Sequence, residues 1–255
     1  MLRIMPPTHI TEALTIVDKE VNAISAERRA LGRFLTRLGD IQPSPTRPRT
    51  ASDGHGRGVL LDIDRERSAG LEAVCEAYRQ TVMSVAHFES DYDETFAENV
   101  AAELGPDIAT QLVNASSLSP ELKSAIASAV TDVRSKRGSF CRSLRNERES
   151  LSALGRSLNE IDSIVDELAP KITESAPSTQ LSVVDDRLET LETRCRNLNG
   201  ERQRVLHDGP TVRSKRRRVA LPDYLYHDCD FRYPGLAALA RRVDCIQNLR
   251  RACLR

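Results

Sequence analysis

Apolar side chains recur along this chain at alternating steps of three and four, the spacing that places them on one side of an α-helix. The longest such stretch is Pro120–Leu168. Its inward positions from Val133 are Arg137, Phe140, Leu144, Glu147, Leu151, Leu154, Leu158, Ile161, Val165 and Leu168, a heptad seam interrupted only by Arg137 and Glu147. Ser119 as N-cap, Pro120 at the first helical position and Glu121 in the first turn mark its start. Such a helix would be about 73 Å long, more than one face of a compact globule covers, so it requires partner helices.

Two further stretches carry comparable seams. From Thr8 to about Leu38 the inward series reads Ile10, Leu14, Val17, Val21, Ile24, Arg28, Leu31, Leu35 and Leu38, and Gly39 follows as a stop. From about Thr179 to Leu206 it reads Leu181, Val184, Leu188, Leu191, Cys195, Leu198, Arg202 and Val205. The short connection around Pro170 and Pro177 makes this helix an antiparallel neighbour of the long one, and residues 8–39 supply the third member. A period of 3.5 predicts a left-handed supercoil.

Between these seams the pattern changes. Residues 40–58, extended to 64 by a brief apolar run, have the Pro and Gly content of a linker. Helices are expected over 65–88, 92–104 and 106–114, broken near Ser90–Asp91 and at Gly105, and together they read as a helical cap over 65–118. Residues 119–209 hold the long helix and its hairpin partner, and 210–255 form a basic segment with a last helix over 234–252. The predicted class is all-α: an elongated antiparallel coiled-coil bundle with a small helical cap subdomain.

Composition agrees. The 255 residues, enough for one or two domains, are 40% hydrophobic, with no Trp, five Tyr and five Phe. Positive and negative side chains balance at 37 each, but not locally: 80–122 has eight acidic residues and no Lys or Arg, whereas 207–255 has eleven Lys or Arg against five Asp. The six cysteines form no CxxC pair. Without a secretory leader or an apolar run of eighteen residues, a cytoplasmic protein with reduced thiols and no membrane contact is expected.

The segment Tyr78–Phe88, continuing to Tyr92-Asp93-Glu94 and Asn99, resembles an uncharacterised family of helical proteins from haloarchaea. Residues 9–31 and the tail stretch Leu221–Tyr226 resemble the same family. The resemblance implies a helical architecture in an intracellular archaeal setting and carries no activity.

Candidate chemistry is sparse. His87, Asp91, Asp93 and Glu94 are the nearest thing to a metal or acid–base cluster, but the simpler reading makes Ser90 or Asp91 a helix cap with Asp93 and Glu94 at the positive end of that helix. His227, Cys229, Cys245 and Cys253 match no zinc spacing. His55, between two glycines, reads as a solvent-exposed side chain, and Gly54, Gly56 and Gly58 lack the flanking strand and helix of a phosphate loop. The run Arg213, Lys215, Arg216, Arg217 and Arg218 could meet nucleic-acid phosphates, or be a solvated loop between helices. No catalytic motif is found, and no cofactor or metal is expected. The reading is a non-enzymatic structural or protein-interaction protein, partnered by itself or another protein through heptad faces. The alternative is a nucleic-acid-associated or regulatory protein using 213–218.

Overall fold

The computed structural model describes residues 8–43, 57–173, 175–214 and 217–254, with the backbone alone at 8, 57–68, 213–214 and 217. It is all-α, as the seams require, apart from one small hairpin. The helices are α1 (Thr8–Asp40), α2 (Arg57–Thr81), α3 (Phe88–Asp91), α4 (Phe96–Leu104), α5 (Pro106–Asn114) and α6 (Pro120–Leu168). A 3-10 turn (Ala169–Lys171) leads to α7 (Ser178–His207), strands β1 (Thr211–Ser214) and β2 (Arg217–Ala220), α8 (Leu221–Leu225) and α9 (Pro234–Cys253). Among the described residues no helix is long and apolar enough to cross a membrane. The start of α6 is set as expected: the Ser119 hydroxyl accepts the Leu122 N–H at 3.1 Å.

The chain forms two compact units, Met1–Val21 with Arg142–Arg255, and Asn22–Cys141; α1 and α6 contribute to both.

In the Asn22–Cys141 unit the later part of α1 runs antiparallel to the earlier part of α6. Gly138 of α6 faces Arg28 of α1, and the Lys123 ammonium donates to the Gly39 and Ile41 carbonyls at 2.9 and 2.6 Å, closing the C-terminus of α1. The core joins Leu31, Phe34 and Leu38 to Leu71, Val74 and Tyr78 of α2, Val100 and Leu104 of α4, and Ile126 and Val130 of α6. Tyr78 stands edge-on to Phe34 and Phe96, with ring centroids 5.2 and 5.7 Å away.

α2 ends at Thr81 rather than near Phe88. The Thr81 hydroxyl donates to the Ala77 carbonyl at 2.6 Å, the Ser84 hydroxyl reaches the Gln80 carbonyl at 2.7 Å, and both Val82 and Met83 N–H groups donate to Tyr78. Side chains thus take acceptors that a further helical turn would need. α2 also begins at Arg57, inside the stretch read as linker. Residues 44–56, with His55, Gly54 and Gly56, lie outside the described residues.

In the other unit the early part of α1 runs antiparallel to the late part of α6, with Gly155 against Ile10 and Arg148 donating to Asp18 at 2.5 Å. α7 returns antiparallel to α6, Glu160 meeting Arg194. A fourth member, α9, lies antiparallel to α7: Arg250 donates to Asp185 at 2.8 Å and to Glu192 at 2.9 Å, and Gln247 donates to Glu192 at 2.8 Å. It also touches α6 through the forked Arg242–Asp162 pair at 3.1 and 2.7 Å. The basic C-terminal helix is therefore a bundle member, because its cations complement carboxylates on two neighbours. Buried side chains from all four helices form the core: Ile10, Val17, Leu151, Leu158, Leu188, Cys195, Leu239 and Ile246.

The α6 seam is buried at its expected apolar positions except Phe140, which is half-buried while the neighbouring Cys141 is buried, and the α1 seam is phased differently. Ala13, Glu27 and Phe34 are buried, whereas Leu14 and Leu35 are half-buried and Arg28 is exposed. Stepping 10, 13, 17, 20, 24, 27, 31, 34, 38 keeps Phe34 inward at the cost of admitting Glu27, which bulky aromatic burial and a charge partner offset. The segment expected to be a basic loop is the antiparallel hairpin β1–β2, with Val212 opposite Val219 and Arg213 opposite Arg218.

Helix α9 enters against α6 so closely that a Cβ on Gly235 would lie 2.9 Å from Leu154 Cδ2 and 3.1 Å from Arg202 Nε. Gly235→Val is expected to destabilise the fold by about 1–3 kcal/mol through overpacking. Gly39→Ala, whose Cβ meets nothing within 4 Å, is expected to be neutral or to gain up to ~1 kcal/mol. Denaturant titration of the two variants checks both.

Candidate functional site

Each charge that interrupts the α6 seam is the centre of a buried polar cluster, one in each unit. In the Asn22–Cys141 unit Arg137 donates through Nε to Glu27 Oε2 at 2.5 Å and forks onto both oxygens of Glu103 at 2.8 Å. The other oxygen of Glu27 accepts the Tyr92 hydroxyl at 2.8 Å and lies 3.0 Å from His87 Nε2. Glu27, only 7% exposed, therefore gathers contacts from α6 and from the segment between α2 and α4. Alongside, Tyr78 donates to Asn99 Oδ1 at 2.7 Å, and the Asn99 amide donates to Glu94 at 2.9 Å.

Electrostatics follow from the geometry. Burial raises the Glu27 carboxyl, but the Arg137 charge and the bonds from Arg137, His87 and Tyr92 outweigh it and hold it below the usual carboxylate range. Burial, with Glu27 beside it, pushes the Tyr92 phenol well up, so it remains a donor. Burial opposes the charge on Arg137, and its two carboxylate partners more than restore it. Beside Glu27 a notch of about 20 Å³, lined by Leu31, Val82, Val85, Phe88 and Asn99 among others, has room for a single water.

In the other unit Glu147 of α6 receives a forked pair from Arg202 of α7, at 2.9 and 2.6 Å, and the Tyr226 hydroxyl at 3.0 Å. Both charges are almost wholly buried, at 5% and 3% exposure. Arg202 also donates to Ser150 at 2.9 Å, while its buried Nε has no partner among the described residues. Burial, then Glu147, pushes the Tyr226 phenol up.

The residues singled out from sequence are distributed as follows. His87 reaches Glu27 rather than its sequence neighbours. Asp91 accepts from Ser90, Asp93 adopts a left-handed turn (φ 46°), and Glu94 receives Asn99. Among the described residues no three His, Cys, Asp or Glu side chains are grouped to hold a metal ion. His227 is exposed and sits 3.0 Å from both Asp228 and the Tyr224 carbonyl. Cys229, Cys245 and Cys253 are free, and burial pushes each thiol up. Of the basic run, Arg218 is exposed; Lys215 and Arg216 lie outside the described residues.

Glu27, Glu103 and Tyr92 were not singled out in advance. The signal for Glu27 was available, since it stands one heptad after Glu20 on the phase that also carries Ile10, Val17, Ile24, Leu31 and Leu38. Likewise Thr95-Phe96-Ala97-Glu98 spells the capping box that starts α4.

Two helical units sharing α1 and α6, each pinned by a buried ionic cluster, define an all-α helix-bundle protein. The chain belongs to the family described as domain of unknown function (DUF7260), whose model matches residues 8–250. No curated protein and no solved structure matches the chain.

Removing Arg137 strands the buried Glu27 carboxylate and the half-buried Glu103, while His87 and Tyr92 stay on Glu27, so Arg137→Ala is expected to cost about 3 kcal/mol, the low end for breaking a buried pair, read by chemical denaturation at neutral pH. Because the Glu27 pKa is depressed, its contribution is present above the unfolded carboxylate value near ~4.3 and is lost as pH falls through its lower folded value. Wild type should therefore lose stability more steeply than Glu27→Gln below about pH 4, in matched acid titrations followed by circular dichroism.

Proposed function

We propose that this protein is a non-enzymatic helical scaffold, cytoplasmic, that holds protein-interaction surfaces at fixed positions through antiparallel coiled-coil packing. The observation that carries the reading is the pairing of the seam-breaking charges with one another. Arg137 is matched by Glu27 and Glu103, and Glu147 by Arg202. A buried charge on a helix seam tolerates only the alignment that brings its partner, so such pairs specify register and choice of neighbour. They do so here with both members occupied, an arrangement suited to holding shape. The same carboxylates in a catalytic role would need a free acceptor facing a substrate-sized space, whereas the notch beside Glu27 holds about one water. The free thiols agree with a reducing compartment.

The partner on this reading is a second copy or another protein. Cross-linking mass spectrometry in the protein's own cells should give intermolecular links that converge on one face of the chain. Links scattered over the whole surface would overturn the scaffold reading, as would turnover of a small molecule by the purified protein in metabolite profiling. Light scattering then separates the two partners: a constant mass of 28.4 kDa points to another protein, and a multiple of it to self-association.

A further inference from the structure

Helices α1 and α6 carry the same short pattern where they pack together, Arg28-x-x-x-Gly32 on one and Arg134-x-x-x-Gly138 on the other. In the antiparallel pair each arginine crosses to the other helix's glycine. A Cβ on Gly138 would meet Arg28 Nε at 3.3 Å and Cζ at 3.7 Å, and a Cβ on Gly32 would meet Arg134 Nε at 3.5 Å, with Cζ and Nη2 at 3.7 Å. The guanidinium heads themselves therefore rest in the two glycine notches, where a long cationic side chain ordinarily lays down its stem and sends the head to water. Position 28 is level with 138 and position 32 with 134, so the notches lie about 6 Å apart along the helix axes. The same register continues with Ser25 against Cys141, Oγ to Sγ 3.6 Å. Both arginines keep exposed surface, and among the described residues neither has a hydrogen-bond or ion-pair partner. No Asp or Glu stands three or four residues from any of the four positions. Glu27, next to Arg28, is turned into the core onto Arg137 at 2.5 Å, and Asp132, two residues from Arg134, projects from another side of α6. Two cations so placed repel each other unless an anion joins them.

We infer that Arg28 and Arg134 form a binding site for a phosphomonoester, whose terminal phosphate bridges the two guanidinium groups. Three properties favour that class. Guanidinium N–H groups fork onto phosphate oxygens in short charge-assisted hydrogen bonds of about 2.8 Å, so one tetrahedral oxyanion spans two heads seated in adjacent notches. A monoester carries a charge of about −1.5 to −2 at pH 7, which matches two cations, whereas a phosphodiester or a carboxylate brings one. The notches hold both heads in place before the ligand arrives, which lowers the ordering cost that long side chains otherwise add to binding. All four residues lie within the Asn22–Cys141 unit. The inference is independent of the scaffold reading, since neither arginine belongs to the buried clusters.

The test is isothermal titration calorimetry of the full chain with phenyl phosphate at neutral pH and constant ionic strength. Phenyl sulfate, of the same shape with one charge, serves as the reference ligand. Wild type should bind one phenyl phosphate saturably and phenyl sulfate about tenfold more weakly. Arg28→Gln and Arg134→Gln should each lower the affinity about tenfold, while Arg33→Gln, which removes an exposed cation of α1 outside the notches, should leave it unchanged. Gly138→Ala keeps both guanidinium groups but crowds Arg28 at 3.3 Å, and should weaken binding several-fold. Circular dichroism spectra and melting temperatures certify the fold of each variant; should Gly138→Ala unfold, the exposed Arg28 and Arg134 variants carry the test. A short peptide bearing phosphoserine separates the sources. Binding tighter than that of phenyl phosphate supports the site with a phosphorylated protein as ligand, and equal binding supports it with a free monoester. Absence of saturable binding by wild type, equal affinity for phenyl sulfate, or an equal loss in Arg33→Gln and Arg28→Gln would overturn the inference.

Discussion

A charge removed from water inside a helix bundle must meet its opposite, and this requirement organises the molecule. The long helix α6 would otherwise present one nearly uniform apolar seam, along which a partner could slide by a heptad with little penalty. Arg137 and Glu147 remove that freedom. The first accepts only an arrangement that brings Glu27 and Glu103 to it. The second accepts only one that brings Arg202, with Tyr226 completing the carboxylate's hydrogen bonds. Well-packed apolar residues at these sites could equal or exceed their stability. What the pairs add is discrimination among alignments.

The rest of each unit is arranged to make those pairs possible. In the Asn22–Cys141 unit α1 shifts its buried face by one residue, exposing Arg28 and burying Glu27 with Phe34. The segment after α2 leaves the helix early, and this brings His87 and Tyr92 onto the same carboxylate. In the other unit α9 approaches α6 and α7 at Gly235, the residue without a Cβ, and covers Arg202 there. Its Arg242 and Arg250 then repeat the theme against Asp162 and against Asp185 with Glu192. The Gln247 and Arg250 bonds hold the Glu192 carboxyl below its ordinary range.

Periodicity alone established the all-α class, the bounds of α6, the buried apolar positions along its seam apart from Phe140, and the two places where a charge would interrupt it. Those features are local: a 3.6-residue repeat and a Ser-Pro start determine them without reference to any neighbour. The phase of α1 was not settled that way, because Leu14 and Ala13, or Leu35 and Phe34, are adjacent, and either choice gives a seam. Only a facing Arg137 decides for Glu27. The same holds for His87, whose partner is sixty residues away in the chain, and for α9, whose membership in the bundle depends on carboxylates of α6 and α7. The run 213–218 carried its charge openly in the sequence. That it is a ribbon with opposed arginines depends on cross-strand pairing, which composition does not encode.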